Sequence, residues 1–270
     1  MSNKRLDILL VSRGLARSRA EAKEWIQNGD VWINGVPAVK PAQELPEDVQ
    51  IDLRAARMPY VSRGGLKLEK ALHVFPITLT GCTALDIGAS TGGFTDCMLR
   101  VGASRVFAVD VGSDQLAEPL RADPRVVNLE KTNIRALTAE QVPEVDFFTS
   151  DVSFISLTLV LPIAYRFLRP EGGGVCLIKP QFEVGRGRVG KKGVVRDPAL
   201  HREVLEHITG FANSMGFAVR GLDFSPIRGP EGNIEYLMYL RKCNLPPYAA
   251  DIPELVRAAH RAFSAGAGGS

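Results

Sequence analysis

Leu85-Asp86-Ile87-Gly88-Ala89-Ser90-Thr91-Gly92-Gly93-Phe94 is the stretch on which the fold of this chain turns. An apolar run (Ala84, Leu85, Ile87) leads into a glycine cluster, and a helix is predicted to begin near Thr95. Strand, Gly-rich turn and helix, in that order, open a nucleotide site at the carboxyl end of the first strand of an α/β sheet. Glycine permits positive φ and lets a ligand approach the backbone closely. A phosphate cradle would need G-x-G-x-x-G, or a lysine after the last glycine, and neither is present. The G-x-x-x-G-G spacing suits a nucleoside without phosphates, such as S-adenosylmethionine. Asp86, Gly88, Ala89, Ser90, Gly92, Gly93 and Phe94 are the candidate walls of that site.

Outward from the turn, strands are predicted near 83–87, 105–110, 125–129, 145–150, 173–178, 217–224 and 233–240. Helices are predicted near 66–74, 94–101, 114–121, 138–141, 156–168 and 198–214. Such alternation argues a mostly parallel sheet with helices on both faces. Only a Pro/Gly loop, Ser225 to Asn233, separates the last two strands, so they should pair antiparallel. Seven strands with an antiparallel final pair make the Rossmann-like α/β sheet of S-adenosylmethionine methyltransferases, whereas a dehydrogenase would continue with parallel strands. Val106 to Val109 end in Asp110, 22 residues after Gly88, where a carboxylate can accept both ribose hydroxyls of an adenosine. Val111 beside it and Asn133 after the third strand complete the cofactor candidates, Asn133 toward the adenine edge.

The 270 residues, 45% hydrophobic and 23% charged, suffice for one large and one small globular domain. The four cysteines (Cys82, Cys97, Cys176, Cys243) form no C-x-x-C pair, so neither a zinc site nor a disulfide framework is indicated, and a reducing cytoplasm fits. No metal is expected. The apolar run Ile8 to Val11 is too short for a secretory signal, and no stretch approaches the ~20 apolar residues of a membrane span. Net charge is only +3, but it is unevenly spread. Residues 4–23 carry six basic side chains against two acidic, and residues 179–196 six against one. Concentrated basic patches on a nearly balanced chain suggest contacts to a phosphate backbone.

The N-terminal stretch reads as a small α+β unit, residues 1–58. A short helix spans 5–13 with Leu6, Leu9 and Leu10 inward. Ser18 and Glu21 form a capping box for a second helix, whose apolar face is Ala22, Trp25 and Ile26. Val31 to Ile33 is a strand, Asn34-Gly35 a hairpin turn, and Val49 to Ile51 a further strand. Residues 59–65 read as a linker with Pro59 and Gly64-Gly65 as breakers, 66–243 as the large domain, and 244–270 as an amphipathic helix with a flexible end.

Lysine or carboxylate side chains fall at four element ends of the large domain. Lys67 lies near the start of the helix before the first strand, and Asp151 follows the fourth strand. Lys179 ends the fifth, very apolar strand, and Glu235 leads into the last. Sheet topology should gather all four at one edge. The run after the fourth strand, Asp151-Val152-Ser153-Phe154, lacks the Asn/Asp-Pro-Pro-aromatic pattern of enzymes that methylate exocyclic amines. The similar Asn244-Leu245-Pro246-Pro247-Tyr248 lies past the last strand. No cysteine follows a proline, as pyrimidine carbon methylation would favour. The segment Phe182 to Arg196, glycine-rich and basic, reads as a flap that closes on a polyanion.

Residues 5 to about 52 (R-L-D-x-L-L-x-x-x-G-L-A-x-S-R-x-x-A, then I-x-x-G-x-V-x-I-N-G, then K-P) resemble the small RNA-binding domain first described in ribosomal small-subunit protein four. That resemblance implies that Arg5, Arg13, Arg17, Arg19 and Lys23 face RNA, with Arg63 and the flap residues Arg186, Arg188, Lys191 and Lys192 extending the surface. The K-D-K-E order of Lys67, Asp151, Lys179 and Glu235 resembles the catalytic tetrad of FtsJ-like ribose 2′-O-methyltransferases. With Ser62-Arg63-Gly64-Gly65, Leu177-Ile178-Lys179-Pro180-Gln181-Phe182-Glu183 and the preceding RNA-binding domain, it resembles the TlyA family of rRNA 2′-O-methyltransferases, whose members are often labelled hemolysins. The family implies S-adenosylmethionine as cofactor and ribosomal RNA or ribosomal subunits as partner. It implies cytidine in the large subunit as target and leaves the small subunit open as a second; a cytoplasmic location and a monomer are the further expectations for the chain. A ribose hydroxyl must lose its proton as it attacks. A lysine can take it only when neutral, far below its free value of about 10.4. Which lysine does so stays open at this point. A cytolysin and a non-catalytic ribosome assembly factor are the alternative functions; the first would need a membrane-inserting surface and the second would leave the tetrad without a purpose.

Overall fold

The computed structural model describes residues 3–16, 18–27, 29–53, 59–185, 187–190, 193–246 and 248–265. Arg17, Arg186, Lys191 and Lys192 lie outside the described residues. The chain divides into two compact units, Met1–Pro59 and Tyr60–Ser270.

In the small unit, β1 (Asn3–Arg5), α1 (Leu6–Ser12) and α2 (Arg19–Gln27) precede β2 (Val31–Ile33), β3 (Val36–Pro37), β4 (Glu44–Pro46) and β5 (Ile51–Leu53). β1 pairs with β4, and β2 lies between β3 and β5, all antiparallel. The Asn34-Gly35 turn has positive φ at both residues (49° and 83°), the geometry a two-residue hairpin requires. The Glu21 amide donates to Ser18 Oγ at 3.2 Å, so the predicted N-cap forms. Leu6, Leu10, Ala22, Ile26, Val31 and Ile33 fill the core. The strand expected at Val49 to Ile51 falls at Ile51–Leu53 instead. The Val49 amide closes a turn onto Pro46 and its carbonyl accepts from Arg13, so that residue's polar groups are spent before the ladder starts.

The large unit runs α3 (Gly64–Val74), β6 (Thr83–Ile87), α4 (Gly93–Arg100), β7 (Arg105–Val109), α5 (Glu118–Arg121) and β8 (Val126–Leu129). It continues with β9 (Val145–Ser150), α6 (Leu157–Phe167), β10 (Leu168–Ile178), α7 (Pro180–Glu183), α8 (Pro198–Ser214), β11 (Ala218–Phe224), β12 (Tyr236–Arg241) and α9 (Ile252–Ala265). The seven strands lie in the order β11-β12-β10-β9-β6-β7-β8, and only β12 runs against its neighbours. This is the expected seven-stranded Rossmann-like sheet, with β6 at the point where strand order reverses. In open α/β sheets ligands bind outside the carboxyl ends of the strands there.

Three local expectations are corrected. The helix foreseen at 114–121 is only Glu118–Arg121, because the amides of Gln115 and Leu116 both donate to Glu130 Oε1 across the sheet edge. No helix forms at 138–141: the Gln141 side chain accepts the Thr138 amide, closing a tight turn, and a 3-10 turn occupies Ile134–Ala136. Gly64 and Gly65 do not break a linker; they open α3. A Cβ on Gly65 would stand 2.2 Å from the Tyr60 ring, so these glycines serve close packing. From Tyr60 onward the segment packs into the large unit, with the Tyr60 hydroxyl on Glu69 and the Val61 amide on Asp96.

Candidate active site

At the switch point the glycine turn adopts the predicted positive-φ geometry. Gly88 has φ 83° and Gly92 φ 96°. A Cβ on Gly88 would meet the Asp151 carbonyl oxygen at 2.9 Å, because Ile87 and Ser150 are register partners in β6 and β9. The turn and Asp151 therefore share one boundary. Asp110, just past β7, accepts the amides of Ser90 (2.8 Å) and Gly112 (2.7 Å), which hold its carboxylate over the turn. Val111 beside it is exposed.

Three expected cofactor contacts are placed differently. Asp86 is wholly buried beneath the turn, its two oxygens accepting from Thr95 (2.6 Å) and Thr149 (2.8 Å). Burial pushes its carboxyl up to about 6, against those hydrogen bonds. It braces the turn and presents nothing to a ligand. The Phe94 side chain lies in the apolar core beneath α4 rather than in the cleft. Asn133 is exposed and its Oδ1 accepts the Arg135 amide, capping the 3-10 turn. Ala89, Ser90 and Gly92 lie in the turn, and Gly93 opens α4.

Lys67, Asp151, Lys179 and Glu235 come together in one connected cluster. β12 runs antiparallel with Ile178 opposite Tyr236, so Lys179 at the end of β10 and Glu235 at the start of β12 meet at the same sheet edge. Lys67 reaches in from α3, with Nζ 2.8 Å from Glu235 Oε2 and 3.3 Å from Asp151 Oδ2. Lys179 Nζ lies 2.6 Å from Asp151 Oδ1 and donates to Ser153 Oγ at 3.1 Å. Both lysines are buried, Glu235 completely, while Asp151 opens to solvent. Burial alone would push the Lys67 ammonium down; the Asp151 and Glu235 carboxylates outweigh it and raise the value. Asp151 is held below its ordinary value, burial being outweighed by the two lysines. Lys67 is thus fixed as an ammonium between two acids, whereas Lys179 faces one acid and a neutral hydroxyl.

Two neighbours escaped residue-by-residue reading. Ser153 supplies the hydroxyl on Lys179, and Phe154 is 91% exposed at φ 64° with its ring 5.0 Å from that of Phe182. An exposed aromatic in left-handed backbone beside a reactive cluster is costly unless something covers it. An aromatic three residues after Asp151 was the available signal.

The candidate RNA-facing cations are less free than their charges suggest. Arg5 makes a two-pronged pair with Asp7 (both 3.0 Å), and Arg19 reaches the same carboxylate at 3.0 Å. Asp7, which the sequence had offered only as a charge, is fully buried and held well below the usual carboxylate range, chiefly by the Arg5 hydrogen bonds. Arg13 donates to the Val49 and Glu47 carbonyls. Lys23 is exposed. In the large unit Arg188 pairs with both oxygens of Glu203, and Arg63 precedes α3.

The sheet order with its single reversed strand, the phosphate-free glycine turn and the Lys-Asp-Lys-Glu cluster define a Rossmann-like methyltransferase. The chain belongs to the FtsJ-like methyltransferase family, whose pattern matches residues 60–242, and it carries an S4 domain over residues 4–51. It is 48% identical over 254 residues (93% of this chain, 90% of the relative) to YqxC of Bacillus subtilis, named there as a candidate rRNA methyltransferase. It is 46% identical over 264 residues (97% and 98%) to the 16S/23S rRNA (cytidine-2′-O)-methyltransferase TlyA of Mycobacterium tuberculosis. A solved structure from Streptococcus thermophilus, described as a candidate hemolysin, shares 44% identity with a TM-score of 0.80 and covers 99% of each chain. No helix among the described residues is long and apolar enough to cross a membrane.

Proposed function

We propose that this chain transfers a methyl group from S-adenosylmethionine to the ribose 2′-hydroxyl of a cytidine in ribosomal RNA, with the small unit, residues 1–58, docking on that RNA. One observation carries the reading: Lys67, Asp151, Lys179 and Glu235 form a continuous chain of contacts that abuts the glycine turn at Gly88. The turn fits the cofactor, since residues 88–93 carry no cationic side chain, Ser90 is exposed, and the fixed carboxylate of Asp110 stands beside exposed Val111. The Ser90 and Gly92 backbone would line the nucleoside, Asp110 would accept its ribose hydroxyls, and the bound cofactor would supply an electrophilic methyl on a sulfonium.

The residues of the chain divide the remaining work. Lys179 accepts the hydroxyl proton as the oxygen attacks. Asp151 holds Lys179 in place and takes up part of the positive charge that develops on it. Lys67, kept charged by Glu235 and Asp151, donates to the ribose oxygen and steadies its negative charge in the transition state. Arg5 and Arg19 contact phosphates, a binding that weakens with added salt because bound counterions are released. The large-subunit RNA is the first target and the small-subunit RNA the second.

The test incubates purified protein with methyl-labelled S-adenosylmethionine and each unmodified ribosomal subunit, then digests the RNA to nucleosides. Label in 2′-O-methylcytidine is expected. Label on a base, or none on either subunit, contradicts the reading.

A further inference from the structure

The large unit buries a second polar cluster that methyl transfer itself does not use, at the foot of the basic loop between Lys179 and α8. Asn233 accepts the Val195 amide at Oδ1 (3.0 Å) and donates from Nδ2 to the Gly193 carbonyl (2.9 Å). His201 on α8 meets the Val195 carbonyl through Nε2 (2.9 Å) and the Tyr236 hydroxyl through Nδ1 (2.7 Å). A carbonyl only accepts, so Nε2 carries the proton and Nδ1 of the neutral ring accepts from Tyr236. Burial pushes the His201 imidazole down, which favours that neutral ring. Asn233, His201 and Tyr236 are all buried, at 1%, 0% and 0% exposure.

Asn233 and Tyr236 bracket Glu235. The Asn233 carbonyl also accepts the Gly229 amide (2.9 Å), and the Ser225 amide donates to the Glu235 carbonyl (2.8 Å), closing residues 225–233 over the carboxylate. A Cβ on Gly229 would stand 2.5 Å from Glu235 Oε1. Val194 and Val195 are buried and could seat the loop by apolar contact alone. Apolar contact tolerates sliding. Buried donors and acceptors do not, because each shift leaves polar groups unpaired.

We propose that Asn233 and His201 are positioning residues that fasten the foot of the basic loop to the start of the strand bearing Glu235. Arg196, exposed one residue past Val195, is thereby held where it can set bound RNA in register with Lys67 and Lys179. The proposal rests on the methyl-transfer reading above for its kinetic consequence but not for the fastening itself.

The experiment uses the full chain, S-adenosylmethionine and ribosomal subunits, below the melting temperature of every variant. Asn233→Ala removes both side-chain bonds to the loop; His201→Gln keeps a donor for the Val195 carbonyl where His201→Ala does not. For Asn233→Ala we expect roughly tenfold faster hydrogen exchange at the Val195 amide, a KM for RNA raised roughly tenfold, and a KM for S-adenosylmethionine within about twofold of wild type. His201→Gln should fall between wild type and His201→Ala in both loop exchange and RNA KM. Unchanged exchange at Val195 overturns the proposal. So does faster exchange with wild-type RNA KM, or a lowered melting temperature with wild-type kinetics. If the wild-type chain methylates no ribosomal RNA, the functional reading fails, while Val195 exchange still decides whether Asn233 fastens the loop.

Discussion

In the small unit Asp7 lies between Arg5 and Arg19; in the large unit Asp151 lies between Lys67 and Lys179. The two clusters share a plan and invert its burial. Asp7 is sealed in while its arginines are 39% and 54% exposed, whereas the lysines are about nine-tenths buried around a partly open Asp151. The choice of cation matches the inversion. A guanidinium keeps its charge at any ordinary pH and presents a rigid fork to phosphate oxygens, so exposed arginines on a buried carboxylate make a fixed binding edge. An ammonium can give up its proton, and burial makes that easier. The second acid, Glu235, then separates the two lysines by pinning Lys67 in its charged form.

The comparison can be broken by exchanging roles. Asp151→Asn leaves two buried lysines without the carboxylate between them, and methyl transfer at saturating substrates should fall roughly 10²-fold. Single-turnover rates check this; a loss below tenfold would mean that the lysines need no shared acid. Asp7→Asn should act on binding instead: RNA affinity falls roughly tenfold and its salt dependence becomes shallower, with kcat at saturating RNA near wild type. A titration at two salt concentrations reads it, and a fall in kcat with unaltered affinity would erase the distinction between the clusters.

The smallest effect concerns Asp86, a buried carboxylate with no cation at all. Burial raises its carboxyl from 3.8 to about 6, so the folded chain binds that proton more readily than the unfolded chain. Between about pH 4 and 6, this group makes the fold more stable as pH falls and less stable as pH rises. Asp86→Asn removes that slope. Its melting temperature relative to wild type should climb by about a few degrees from pH 4 to pH 7. A pH-independent difference would place the ionisation of Asp86 outside this window.

The parts legible in the sequence were those whose signals are contiguous. The run into Gly88 marks a strand and turn because apolar periodicity and glycine lie side by side, and Asn34-Gly35 marks its hairpin for the same reason. Contacts made across the sheet were not legible by spacing. Lys67 and Glu235 are 168 positions apart and meet only because β12 is reversed. They were legible as charged residues at element ends that the sheet topology should gather, and the family pattern then supplied their roles. Side-chain direction was the other blind spot. Asp86 and Phe94 sit in the right turn but point into the core, and Asn133 caps a 3-10 turn. Asp7 looked like one acid diluting a basic patch, because burial of a charge depends on which elements close over it.

Replacing Lys179 with arginine tests the central claim most directly. Lys179→Arg keeps the positive charge beside Asp151 but removes a proton-accepting amine, since a guanidinium is not deprotonated in proteins. With S-adenosylmethionine and RNA binding verified, the single-turnover rate of methyl transfer should fall roughly 10²–10⁴-fold, the contribution expected of a general base. A rate within tenfold of wild type would contradict Lys179 as the proton acceptor, and with it the division of labour between the lysine and arginine clusters.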